Sequence, residues 1–185
     1  MTTSAFVRVA CVCVLGLCAA SVQADAAGDA KRRAALSDKG KVLFKNTKNH
    51  CHAFRDLVSF AIGQTKATGE VLEDLKFVLV GEALTRRGSG PYYIGNTPGA
   101  RGDSGFQDGL RDGSPQVEHA MAAIYIGKFF PPPAPEAAAA LTEFGGKNVS
   151  TADVLLWSLG GDAGQRVSDG ELDKLPKVIE RTMCA

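Results

Sequence analysis

Apolar residues recur at helical spacing along much of this chain. From Lys41 to Ile62 they fall at Leu43, Phe44, Cys51, Phe54, Leu57, Val58 and Ala61. This spacing predicts a long amphipathic helix with Cys51 on its apolar face and a break near Asn46 to Asn49. A second stripe, Val71, Leu72, Leu75, Val78, Leu79 and Ala83, predicts a helix over Glu70 to Leu84. Glu70 and Glu73 sit near its positive N-terminal end. The β-friendly run Phe77 to Val80 leaves a buried strand as the rival there. Between Glu118 and Lys128 no residue is charged, and apolar groups fall on every face. A helix apolar all round is buried and central. Ser114-Pro115 is its expected start, a capping hydroxyl followed by proline in the first turn.

Phe129-Phe130 and the proline run 131–133 end that helix in a stiff connector. A short Ala-rich helix is expected over Glu136 to Phe144, closed by Gly145-Gly146. Another is expected from Ser150 to Leu159, with Asp153 in its first turn and Trp157 in its apolar set. Ser168 and Glu171 read as the capping box of a last helix through Pro176 to Met183. No repeat of solenoid period is present. The pattern predicts an all-α fold: one bundle-like domain over residues 37–185, wrapped around a central helix at about 115–130.

One stretch breaks the pattern. Arg86 to Ser114 holds eight glycines, two prolines and several aspartates and arginines. A loop this long in a compact domain is uncommon and is usually functional or disordered. Tyr92, Tyr93, Ile94 and Phe106 are the side chains that could pin it to the body.

The first 24 residues set the compartment. Arg8 is the only charged residue before Asp25. It precedes an apolar run, Val9 to Ala20, too short to span a bilayer comfortably. Val22 and Ala24 fit the small-residue pattern at −3 and −1, so cleavage is expected between Ala24 and Asp25. A lipid-modification signal at Cys18 is disfavoured because Leu17, directly before it, is not small. The expected product is secreted or periplasmic, with no later segment of membrane-spanning length. Asp25 to about residue 36, including Lys31-Arg32-Arg33, reads as a flexible arm or a frayed helix.

Without the leader the chain carries equal numbers of basic and acidic residues. That argues against general attraction to nucleic acid or to anionic lipid. Cleavage also removes Cys11, Cys13 and Cys18, leaving Cys51 and Cys184. In an exported chain two cysteines favour one disulfide over two separate buried thiols.

Candidate chemistry concentrates where the loop meets the central helix. Asp103, Ser104, Phe106, Asp108, Arg111 and Asp112 precede Gln116 and His119. His119 could act as general acid or base with Asp112 or Asp108 orienting it, and Asp103 as a further carboxylate. The other reading makes His119 a satisfied core group that holds the loop in shape. Gln116, Arg111, Ser104, Phe106, Tyr92 and Tyr93 are the candidate binding residues. Ser104 lacks the flanking pattern and the preceding strand of a nucleophile elbow. Arg101-Gly102-Asp103 spells an adhesion tripeptide, but three residues recur by chance too often to carry function. His50 and His52 look metal-ligating, yet on a helix residues two apart point away from each other. No metal site is expected. Phosphate loops, dinucleotide fingerprints and zinc-protease motifs are absent, so no cofactor is expected either. Asn148-Val149-Ser150 is a glycosylation acceptor in a eukaryotic host.

The run Asp103-Ser104-Gly105-Phe106, followed by Asp112-Gly113-Ser114-Pro115-Gln116-Val117-Glu118-His119, resembles a family of uncharacterised helical proteins. They carry an SGF run and then D-x-S-x-Q-V-x-H. The resemblance covers roughly residues 103–184 and implies a helical fold and a role for Gln116 and His119, with no activity attached. It departs at Pro115, where relatives carry Asn, and at Ala120, where they carry Phe.

Three functions fit these features. The first is a secreted binding module that uses the loop 86–114 on an extracellular or envelope partner. The second is a secreted hydrolase of envelope or extracellular polymer with His119 as general acid or base. The third is a structural envelope protein without a discrete site.

Overall fold

The computed structural model describes residues 26–82, 84, 88–134 and 150–185. The leader, the expected helix at 136–144 and the Asn148 acceptor lie outside the described residues. The fold is all-α. Helix α1 spans 26–45, followed by α2 (His50–Gln64), α3 (Thr68–Leu79), α4 (Gln116–Phe129), α5 (Thr151–Ser168) and α6 (Leu175–Thr182). Among the described residues no helix is long and apolar enough to cross a membrane.

The break expected near Asn46 to Asn49 separates α1 from α2. It is stabilised by capping. The Asn49 side chain accepts from His52 N at 2.9 Å. The Ser104 carbonyl accepts from His50 N and Cys51 N at 2.9 and 3.1 Å. Three amides of the first turn thereby find acceptors, and a cap of the Asn49 kind contributes about 1 kcal/mol.

The segment expected as a flexible arm is helical from residue 26. Arg32 Nε and Arg33 Nε bond the two oxygens of Asp74 at 3.0 and 2.7 Å. Asp74 is only 3% exposed. The Arg33 guanidinium also lies 4.0 Å over the Phe77 ring. A basic run reads as solvated charge when its acceptor stands about 40 residues away on α3.

Helix α3 buries Val71, Leu72, Leu75, Val78 and Leu79 of the expected stripe, so the strand alternative does not form, but it ends at Leu79 rather than at the expected Leu84, and Ala83 lies outside the described residues. Val80 caps it, and Gly81 at φ +114 turns the chain away. A side chain there would meet the Ser89 carbonyl at 2.7 Å.

Helix α4 is the buried centre. Every residue from Gln116 to Ile124 is inaccessible, and so is Gly127. Its start differs from expectation by one position. Pro115 is the cap residue rather than the first helical one, and no side chain caps the helix.

The larger correction is α5. The sequence pattern predicts a stop at Leu159, yet the helix runs to Ser168. Its glycines lie against α4, and α5 packs on α4 more extensively than either packs on α2, α3 or α6. Ser168 is therefore the last residue of α5 and not a cap. Glu171 instead bonds Lys174 at 2.7 Å and lies 3.6 Å from Arg166. Helix α6 follows a 3-10 turn at Leu172–Lys174, with Pro176 in its first turn.

Cys51 and Cys184 form a disulfide with Cα atoms 5.5 Å apart. It ties the C-terminus to α2, beside the glycine-rich segment.

Candidate functional site

Residues 88–114 form a strap over the bundle, held at several points. Ile94 N bonds the Val78 carbonyl at 3.0 Å. Ile94, Ala100, Phe106 and Leu110 are buried anchors. Phe106 pairs with Cys184 in an isolated antiparallel bridge. Gln107 N reaches Met183 O at 2.9 Å, and Ala185 N reaches Gly105 O at 2.8 Å. Of the side chains expected to pin the loop, Ile94 and Phe106 are buried, while Tyr92 and Tyr93 are half-buried. The exposed side chains of the strap include Arg101, Gln107, Asp108 and Arg111.

Ser104 is a strut. Its hydroxyl donates to Lys48 O at 2.5 Å and lies 2.8 Å from His50 Nδ1. The hydroxyl has one proton, and Lys48 takes it, so the His50 ring donates to Ser104 Oγ. A serine in that arrangement is not activated as a nucleophile. Burial lowers the His50 pKa, against the opposing charge of Asp103. The ring is therefore neutral at physiological pH. Gly102 and Gly99 leave the space this ring occupies, since a side chain at Gly99 would meet His50 Nε2 at 2.5 Å.

The base of the strap joins α4 and α5 through a run of polar groups that leads from exposed Asp112 through half-buried Ser150 to buried Gln116, Asp153 and His119. Gln116 Nε2 donates to Asp112 Oδ1 at 2.8 Å. Ser150 donates its hydroxyl to the other Asp112 oxygen and accepts Asp153 N at 2.9 Å. Asp153 Oδ1 then meets His119 Nδ1 at 2.9 Å. Beside this run, Glu118 is 1% exposed, 3.1 Å from Arg101 Nε, and accepts from Tyr93 Oη at 3.3 Å. The Trp157 ring stands 6.4 Å from the His119 ring.

The carboxylate that orients His119 is thus Asp153, not Asp112 or Asp108. Asp112 belongs to the same run but bonds Gln116, Ser150 and Ser114 N. Asp108 is fully exposed and pairs with Arg111 at 3.1 Å. Asp103 accepts from Gly113 N at 3.2 Å and shapes the strap. Sequence reading placed Asp153 in a helix first turn and Ser150 before it. It carried no signal that this turn faces His119, because that depends on how α4 crosses α5. His119 is 2% and Asp153 3% exposed, so the pair is packed within the fold.

His52, Glu180 and Cys184 cluster as possible metal ligands. The Cys184 sulfur is held in the disulfide and offers no thiolate, which leaves two ligands.

Burial alone would raise the Asp153 pKa. The His119 hydrogen bond and charge, with the Ser150 bonds, outweigh it and hold the carboxyl below the usual aspartate value. A carboxyl depressed in the folded state stabilises the fold above its unfolded pKa. That contribution is lost as pH falls through the folded pKa, a window below about pH 4. Asp153→Asn is expected to cost about 1–3 kcal/mol at pH 7. Urea unfolding should show the difference from wild type shrinking at about pH 3 and below. A difference independent of pH would mean Asp153 carries no such depression.

Comparison with family models, with curated proteins and with solved structures found no match to this chain.

Proposed function

We propose that the protein is an exported binding module whose recognition surface is the strap over residues 88–114. The observation that carries this reading is the division of labour within the strap. Its apolar side chains and backbone bonds face the bundle, while Gln107, Asp108 and Arg111 face solvent. A segment fixed before contact loses little conformational entropy on binding, and more of the contact energy becomes affinity. The His119–Asp153 pair then serves as the strap's foundation. Export and leader cleavage after Ala24 are part of the proposal, and a disulfide of this kind persists in an oxidising compartment. The hydrolase alternative is less well supported, because its general acid or base is buried.

The test is site-specific photo-crosslinking at Gln107, with the protein in the extracytoplasmic fraction of its source. The expected result is a discrete adduct that excess unlabelled protein displaces. Charge reversal by Asp108→Lys with Arg111→Glu should weaken it by at least about ten-fold. His119→Gln keeps an amide donor toward Asp153, so where it folds with the strap in place it should retain the adduct. An adduct indifferent to competition and to charge reversal would refute the proposal. A folded His119→Gln protein that loses polymer-cleaving activity present in the wild type would favour the hydrolase.

A further inference from the structure

A groove of about 300 Å³ is lined by Arg166, Lys174, Lys177 and Arg181 with Val178 and Thr182. Arg166 comes from the last turn of α5, Lys174 from the 3-10 turn, and Lys177 and Arg181 from α6. Helix α6 buries Leu175 and Ile179. Two residues beyond each, Lys177 and Arg181 share the outer face one turn apart. All four cations are exposed.

The chain as a whole is nearly neutral, so this convergence is not a by-product of a basic composition. Complementing the helix dipole accounts for Arg166 and Arg181, which stand in last turns. It does not account for Lys174 and Lys177 lining the same groove. Glu171 bonds Lys174 and approaches Arg166, fixing two of the four side chains. Among the described residues Lys177 and Arg181 make no ion pair. Two positioned and two available cations around a partly apolar floor suit a compact ligand bearing several negative charges. The volume is at the small end of the range for ligand sites.

We infer that this groove binds a phosphate-bearing anion carrying at least two charges, either a free oligophosphate or a phosphorylated lipid headgroup. Arginine supplies a forked donor for phosphate oxygens and lysine a compact charge. This site is separate from the strap and stands or falls independently of the binding-module reading.

The experiment is a titration of the mature, disulfide-bonded protein with tripolyphosphate at constant ionic strength, followed by backbone amide NMR. A parallel arm measures co-flotation with vesicles of phosphatidic acid, whose phosphomonoester headgroup can carry two charges, and phosphatidylcholine. The expected result in one arm or both is saturable binding, with shifts centred on residues 166–182. Lys177→Gln with Arg181→Gln should weaken it by at least about ten-fold. Lys31→Gln, on α1, should leave it unchanged. Glu171→Gln removes the competing carboxylate and should tighten binding a few-fold, a gain that misfolding cannot imitate. Binding to tripolyphosphate identifies a soluble source, and binding to vesicles alone identifies a lipid one. No saturable binding in either arm, or binding indifferent to the Lys177 and Arg181 changes, would overturn the inference.

Discussion

Gly164→Ala is expected to destabilise the protein by about 3 kcal/mol or more, although alanine is the better helix former. On an open helix the same change would gain up to about 1 kcal/mol. At Gly164 the added methyl would lie 2.6 Å from Lys128 N and 2.7 Å from Gly127 C, and closer still to the Ile124 carbonyl. These are backbone atoms of α4 and cannot turn aside as a side chain would. The helices must move apart, and every contact along their interface loosens with them. Gly127 and Gly160 share the constraint. A methyl at Gly127 would stand 2.6 Å from Gly161 Cα, and one at Gly160 would stand 2.5 Å from Ala123 Cβ. Gly63 supplies the control, because it lies in α2 with nothing near its missing side chain. Gly63→Ala should stabilise by about 0.5–1 kcal/mol. Equilibrium urea unfolding of the two variants decides the matter. Equal effects would mean that α4 and α5 do not pack backbone to backbone.

Removing the disulfide, as Cys51→Ala with Cys184→Ala, is expected to lower stability by about 4–5 kcal/mol. The two cysteines are 133 residues apart, so the bond constrains a very large loop of the unfolded chain. Chain-entropy arguments assign most stabilisation to such long closures, and native strain only subtracts from it. A second consequence is local. Cys184 also pairs with Phe106, and Met183 and Ala185 hold Gln107 and Gly105. Freeing the C-terminus should therefore loosen the strap before the bundle. Hydrogen exchange should quicken most at Gln107 and Ala185, through local opening, while Val78 and Leu79 of α3 lose protection only in step with the global stability. A shift of less than about 1 kcal/mol, with exchange unchanged at those two amides, would show that the strap is held without the bond.

The helices at 50–64 and 68–79 and the centrality of 116–129 were legible in the sequence. Their stripes, or the lack of a polar face, record which sides must leave water. The cysteine count pointed to the disulfide for a similar reason, since only two thiols remain to be paired beyond the expected leader. Where sequence reading missed, the deciding partner was distant. Lys31-Arg32-Arg33 gave no sign of Asp74, and a charged run without a visible partner reads as solvated. The helix from Ser150 is expected to stop at Leu159, just short of Gly160-Gly161, and glycine's weak helix propensity is a local property. Its use as a surface against Gly127 exists only once α4 and α5 cross.

The candidate site divides along the same line. Residue types and their spacing marked out which groups could carry chemistry near the start of α4: His119, Gln116 and the aspartates of the strap. They also indicated that an all-α body would present a long glycine-rich segment. The packing of the helices is what sets Asp153 against His119, buries the pair, makes Ser104 a strut and brings four cations to one groove. Periodicity reports the environment of a residue on its own element. Pairings between elements depend on crossing angles and on closures over tens of residues, and no local pattern along the chain encodes them.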